Sequence, residues 1–538
     1  MNQQTTYNNC QMGNEHTALA DRSRLSRDKK WQMTNMLHGS TPPPIPPRGQ
    51  WQRRAMNAIG RVNCVSFPKW LAQYGIVVYI IALLVVSFMY STYSLPWYYM
   101  LSGVVATGVF FLYGSSLAKE TATNRVHGEK AFERRLVTIS FVIRLVWVLL
   151  IYYIFMQSYG DSFGFDNADA STYDMIGKEI SQGLRDGHVN YELIFWGMDI
   201  SDRGYGTYLG FVYFLTGDSV LVARILKCLW SSLTVLMVYR IAKRNFNIQT
   251  ARLASIFCAL WPNFWYYCGC QLKETEMVFL CVLFIGQADQ MLRSRQFTAW
   301  KIIPILLIAA ALFTFRTALA LVALLAFVFS VVMSSSKVVS WGKRIIVGVL
   351  AILLIGVTAG NRIQEQARGL VEQVQGGYQE GNMEWRSKRV DGNAFAKYAG
   401  KSVFAPLIFT IPFPTMVRPF DGQEVQQLLN GGNFVKNIMS FFTIFALVML
   451  LLSGKWRDHL LPLSFMLGYT VVLVMSAFAQ AERFHQPAMP FEMMFAAYGL
   501  SIAVKKPKYK RWFTYWCVLM FVACIAWNWF KLAGRGLT

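Results

Sequence analysis

The sequence predicts an all-α integral membrane protein, a polytopic bundle of about thirteen spanning helices with interfacial helices in two large outer loops. Three observations carry this expectation. Of 538 residues, 54% are hydrophobic and only 15% are charged, a combination rare in soluble domains. The apolar residues come in blocks long enough to cross a hydrocarbon core of about 30 Å. The formal net charge of +23 lies mostly between those blocks. In a soluble protein such charge would suggest nucleic acid. Here topology and anionic lipid headgroups account for it, and no nucleic-acid partner is expected.

In chain order, spans are expected near 74–94, 98–117, 136–157, 219–241, 251–269, 275–291, 301–315, 317–335, 345–360, 436–453, 460–480, 486–504 and 512–530. Residues 1–72 read as a cytoplasmic, disordered tail without a secretory signal, in which Thr41 to Arg48 is a polyproline II run. Residues 73–135 form an N-terminal spanning hairpin, 136–504 a larger transmembrane module, and 505–538 the last helix with a short tail. Basic residues such as Lys119, Arg134, Arg135, Lys243, Arg244, Arg293, Lys343, Arg457 and Lys505 to Arg511 all fall on one side if the chain alternates as drawn. The positive-inside rule makes that side cytoplasmic. The nine cysteines show no disulfide framework, and Cys268 and Cys270 have no histidine nearby in sequence to complete a metal site.

The other face is chemically different. Its two long connections are 158–218 and 361–435. The stretch from Ser158 to Arg203 carries nine acids against three bases. Tyr205 to Thr216 is too short to span and is expected to re-enter or lie flat, and Phe404 to Phe413 to lie in the interface. Three short outer turns hold ionisable residues against the topological trend: Lys273-Glu274, Arg316 between two apolar helices, and Glu482-Arg483-Phe-His485. Ionisable groups beside hydrocarbon are costly, and they often mark a substrate path.

Asp169-Ala-Ser-Thr-Tyr173 in the acidic loop resembles the acid motif of GT-C glycosyltransferases, in particular the protein O-mannosyltransferase and lipid A aminoarabinose transferase group. Tyr208-Leu-Gly, Val222-Ala-Arg224, Ala259-Leu-Trp-Pro262 with Leu272-Lys-Glu274, Phe315-Arg316, and Glu482-Arg483-Phe-His-Gln-Pro487 resemble later stretches of the same group, in the same order. The resemblance spans roughly residues 136–504. The sequence departs from the pattern at Ala170, where the family usually has a second acid, and in the two spans ahead of the loop.

The resemblance implies sugar transfer from a polyprenyl-phosphate donor to a hydroxyl on lipid, glycan or protein, at the periplasmic or extracellular face of the plasma (inner) membrane. One carboxylate serves as general base, Asp169 with Asp166 as alternative or helper. The leaving phosphate needs cations rather than a general acid. Arg316 is the first choice, with Arg483, Lys273 and Arg224 beside it. Glu274, Glu482, His485 and Tyr173 are candidates for orienting substrate. Each has a plainer role: Asp169 as N-cap of a helix starting near Ala170, Arg224 and Lys227 as snorkelling cations, Lys273 paired with Glu274, Arg483 with Glu482, and Tyr173 as packing. No metal cluster is visible, although an Asp beside a bound phosphate is compatible with Mg²⁺ or Mn²⁺. Three competing readings stand beside this one: an O-antigen polymerase or ligase, a lipid or solute transporter, and an envelope-assembly scaffold.

Overall fold

The computed structural model describes residues 67–123, 128–294, 299–333, 413–418, 424–475, 482–533 and 536–537. Residues 1–66 of the expected tail, the 345–360 span, all of the Phe404 to Phe413 segment but Phe413, and most of the second outer loop lie outside them.

The described chain is a helical bundle. Its elements are α1 (Lys69–Met89), α2 (Trp97–Gly108), α3 (Gly114–Thr123), α4 (Gly128–Tyr159), α5 (Asn167–Arg185) and α6 (Ile200–Thr216). There follow α7 (Val220–Asn245), α8 (Ile248–Leu260), α9 (Pro262–Cys268), α10 (Glu274–Arg293), α11 (Ala299–Phe315) and α12 (Thr317–Met333). The series ends with α13 (Asn430–Ser453), α14 (Leu460–Met475), α15 (Met489–Ala503) and α16 (Pro507–Ala533). A single antiparallel bridge, Ser94 to Val417, is the one β contact among the described residues.

Seven described helices are long and apolar enough to cross a membrane, and shorter apolar helices accompany them. The chain is an all-α membrane protein. One expected span, 251–269, is two helices. Trp261 is extended, and Pro262 opens α9 at the position where a proline costs no helical hydrogen bond. Likewise α2 and α3 are joined through a π-helical turn, Val109–Tyr113.

The hub of the bundle is α7, which packs against α4, α8, α9, α10 and α15. Ser219 caps its start by accepting from the Val222 amide at 3.4 Å. The acidic loop folds into the pair α5 and α6. On α5, Ala170, Tyr173, Asp174, Gly177, Ile180 and Ser181 are buried, a stripe at helical spacing. On α6, Gly206 and Gly210 leave notches that Ile176 and Ile180 occupy, so the two helices approach closely. The segment expected to re-enter or lie flat is thus a seventeen-residue helix packed between α5 and α11.

Ionisable groups gather at both ends of the bundle. At the end opposite α5 and α6, Asp289 accepts from Arg244 and Arg293, each at 2.8 Å, and from Asn245 at 3.0 Å. The acidic end holds the candidate site.

Candidate active site

Asp169 lies in the first turn of α5, which starts at Asn167. It is therefore not the N-cap of a helix beginning at Ala170. Its Oδ2 accepts from Arg483 at 2.6 Å, an ion pair across 314 residues of sequence. Both partners are partly open to solvent. Arg483 thus reaches Asp169, while Glu482 accepts from the Asn433 side-chain amide.

Arg316 sits at the turn between α11 and α12. Its guanidinium carbon is 3.9 Å from the centroid of the Phe484 ring, and that of Arg483 is 4.9 Å from the same centroid. Two guanidinium groups from distant hairpins therefore meet on one aromatic ring. α6 packs closely against this turn: a Cβ at Gly204 would come within 2.8 Å of Phe315 Cδ2, next to Arg316.

Asp202, on the first turn of α6, joins the cluster. It accepts from Lys273 Nζ and, at 2.9 Å, from the Tyr173 hydroxyl. Lys273 also donates to the Ser201 carbonyl at 2.9 Å. Burial alone would raise the Asp202 pKa, but the ion pair and hydrogen bond with Lys273, the Tyr173 hydroxyl and the field of Arg316 outweigh it, so the carboxyl is held below its usual range. Tyr173 shifts upward, chiefly through burial and then through the Asp202 charge. Lys273 therefore pairs with Asp202, not with its neighbour Glu274, and Tyr173 is a hydrogen-bond donor as well as a packing residue.

Deeper in the bundle, Lys227 is fully buried and makes an ion pair of 3.3 Å with Glu276. Its ammonium also donates to the Leu272 carbonyl. Arg224 is equally buried. Its Nη2 donates to the Ser162 carbonyl at 2.6 Å, and its guanidinium lies 5.7 Å from the Tyr152 ring. Neither cation snorkels, and Arg224 ties down the turn that leads into α5. Asp161 braces that turn by accepting from the amides of Phe163 and Gly164. Asp166 stands just before α5, and its side chain lies outside the described residues.

His485 is buried, with its Nδ1 3.4 Å from Lys436 Nζ, and Lys436 in turn is 3.6 Å from Glu492. The sequence reading missed Asp202 as a partner, and also Lys436, Glu492 and Arg144. Arg144 lies fully buried within the apolar run of α4, hydrogen-bonded to Ser231, Ser140 and the carbonyls of Ala259 and Cys258. A charge inside an apolar run was the available signal for it.

Among the described residues no three His, Cys, Asp or Glu side chains gather in a metal-holding group, and the Asp169 and Asp202 carboxylates each already face a cation. What the arrangement offers is one partly exposed carboxylate beside two guanidinium groups, at the end of a transmembrane bundle.

Those features define a class: a polytopic helical membrane protein with an acid and arginine site at one end. Residues 207–359 match the family model for dolichyl-phosphate-mannose-protein mannosyltransferase, a GT-C superfamily domain. The match supports a membrane glycosyltransferase of the GT-C type. It includes Arg224, Lys273, Glu274 and Arg316, and it excludes Asp169 and Arg483. No curated protein sequence matches the chain.

Proposed function

We propose that the protein transfers a sugar from a polyprenyl-phosphate donor to an acceptor hydroxyl, with inversion at the anomeric carbon, at the non-cytoplasmic face of the plasma (inner) membrane. The observation that carries this is the Asp169–Arg483 ion pair together with the approach of Arg483 and Arg316 to the one Phe484 ring. The carboxylate and the cations that the reaction needs lie within one contact chain.

In the reaction, the acceptor oxygen attacks the anomeric carbon while Asp169 takes its proton. The bond from that carbon to the phosphate oxygen breaks, and the electron pair leaves with the phosphate. Arg316 and Arg483 stabilise the charge that develops there, because guanidinium donors match phosphate oxygens in geometry. Lys273, neutralised by Asp202, supports α6 from behind, and Arg224 holds the turn before α5. In this reading the two cations support the site, and Arg316 and Arg483 bind the phosphate. In the resting protein Arg483 holds Asp169. An incoming phosphate draws Arg483 toward itself and frees the carboxylate for proton transfer.

The test is Asp169→Asn in proteoliposomes supplied with a polyprenyl-monophosphate sugar. Transfer is expected to fall by about 10²–10⁴-fold, the usual contribution of a positioned base. Full activity in that variant would eliminate Asp169 as the base.

A further inference from the structure

Arg483 and Phe484 sit on a short 3-10 turn, Glu482–His485, whose geometry divides its side chains. With three residues per turn, side chains three apart eclipse. Glu482 and His485 therefore point the same way, while Arg483 and Phe484 each face about a third of a turn aside. On α13, Asn433 and Lys436 are also three apart and share a helix face. The two spacings meet in contacts: Asn433 donates to Glu482, and Lys436 Nζ lies 3.4 Å from His485 Nδ1. The turn is thus held to α13 by two rungs. Tyr469 of α14 adds a third hold by donating to the Phe484 carbonyl at 2.9 Å. The other faces of the turn bring Arg483 to Asp169 and Phe484 to Arg316.

Lys436 is the unexpected member of this set. It is 3% exposed, and its ammonium stands between His485 and Glu492 of α15, the latter 3.6 Å away. An ammonium has donors only, so His485 Nδ1 accepts and the ring proton sits on Nε2. Taking a cation out of water is costly, and an apolar side chain of similar volume often packs at such a place with no loss of stability. The charge therefore points to a task other than stability. We propose that Lys436 is a positioning residue for the donor phosphate: through His485 it fixes the backbone of the turn from which Arg483 acts. This role rests on the sugar-transfer reading and deepens it. In that reading Arg483 exchanges one anion, Asp169, for another, the phosphate. A side chain keeps its aim while changing partners only if its backbone stays put, and Lys436 supplies that fixed point.

The experiment measures the dissociation constant of a polyprenyl monophosphate for the full-length protein in detergent, by tryptophan fluorescence, in a double-mutant cycle. Lys436→Met should weaken binding about tenfold, within the range of one charge-assisted hydrogen bond to the phosphate. Arg483→Ala should weaken it at least as much. In the Arg483→Ala background, Lys436→Met should add nothing, since the residue through which it acts is gone. A merely structural role would weaken binding equally in both backgrounds, and that result would overturn the proposal. Parent-like binding by Lys436→Met would overturn it too. If Lys436→Met does not fold, His485→Leu removes the acceptor and leaves Lys436 beside Glu492. It enters the same cycle with the same expected and overturning results. A parent that does not bind the lipid, or an Arg483→Ala variant that binds it as well as the parent, would overturn the donor reading together with the positioning role.

Discussion

Asp202 shows how a site residue can be set by its neighbours. Lys273, Tyr173 and Arg316 all favour its charged form against the opposing effect of burial. Because its folded pKa is depressed, its stabilising contribution is present above the ordinary carboxylate value near 3.8 and is lost as pH falls through the lower folded value. Asp202→Asn should therefore be less stable than the parent at pH 7, by on the order of 1 kcal/mol or less because the side chain is about a third exposed. The gap should close as pH drops below the ordinary value. Unfolding followed by tryptophan fluorescence between pH 7 and pH 3 measures it. A gap that widens in acid would contradict the assignment.

The sequence made Lys273, Glu274, Arg316 and Arg483 visible because each interrupts or borders an apolar run, where charge is costly, and Asp169 visible through the resemblance carried by Asp169-Ala-Ser-Thr-Tyr173. It could not reveal their partners. Asp169 and Arg483 are 314 positions apart, and Asp202 looked like one acid among nine. Neighbours in sequence suggested Lys273 with Glu274 and Arg483 with Glu482. Helix geometry sends those side chains elsewhere, and only the packing of α5, α6 and α11 selects the real pairs.

At the scale of elements, the α5 and α6 pair positions the candidate base. Gly206 and Gly210 make this possible, since larger residues would collide with Ile176 and Ile180. Gly210→Leu should cost about 1–3 kcal/mol by overpacking and should displace Asp169. The expected result is a lower unfolding temperature together with a reduced transfer rate. Leu215→Ala on the same helix, where the side chain is 80% exposed, should change neither. If the two substitutions act alike, the notch is not what sets the approach. The broken span at Trp261 and Pro262 has a related logic. The proline was legible as a helix breaker, but apolar residues continue on both sides, so hydropathy alone drew one helix. The break brings Phe264 and Tyr267 beside Glu274 and Gln486 around one small pocket.

At the scale of the whole molecule, the two ends of the bundle differ in kind. One end carries the acidic helix pair with its exposed Trp196, and the other carries basic turns such as Lys505 to Lys510. Excess positive charge is retained on the cytoplasmic side. A cysteine at Trp196 should therefore react with a membrane-impermeant maleimide in intact cells, and one at Lys508 only after permeabilisation. Labelling in the reverse pattern would invert the proposed orientation and move the chemistry to the cytoplasm.

The salt bridge between Asp169 and Arg483 also bears on the sequence of substrate binding. On the proposed mechanism the donor phosphate engages Arg483 first, and the Asp169 carboxylate turns to the acceptor hydroxyl only afterwards. That reading makes donor binding the opening move of each catalytic cycle.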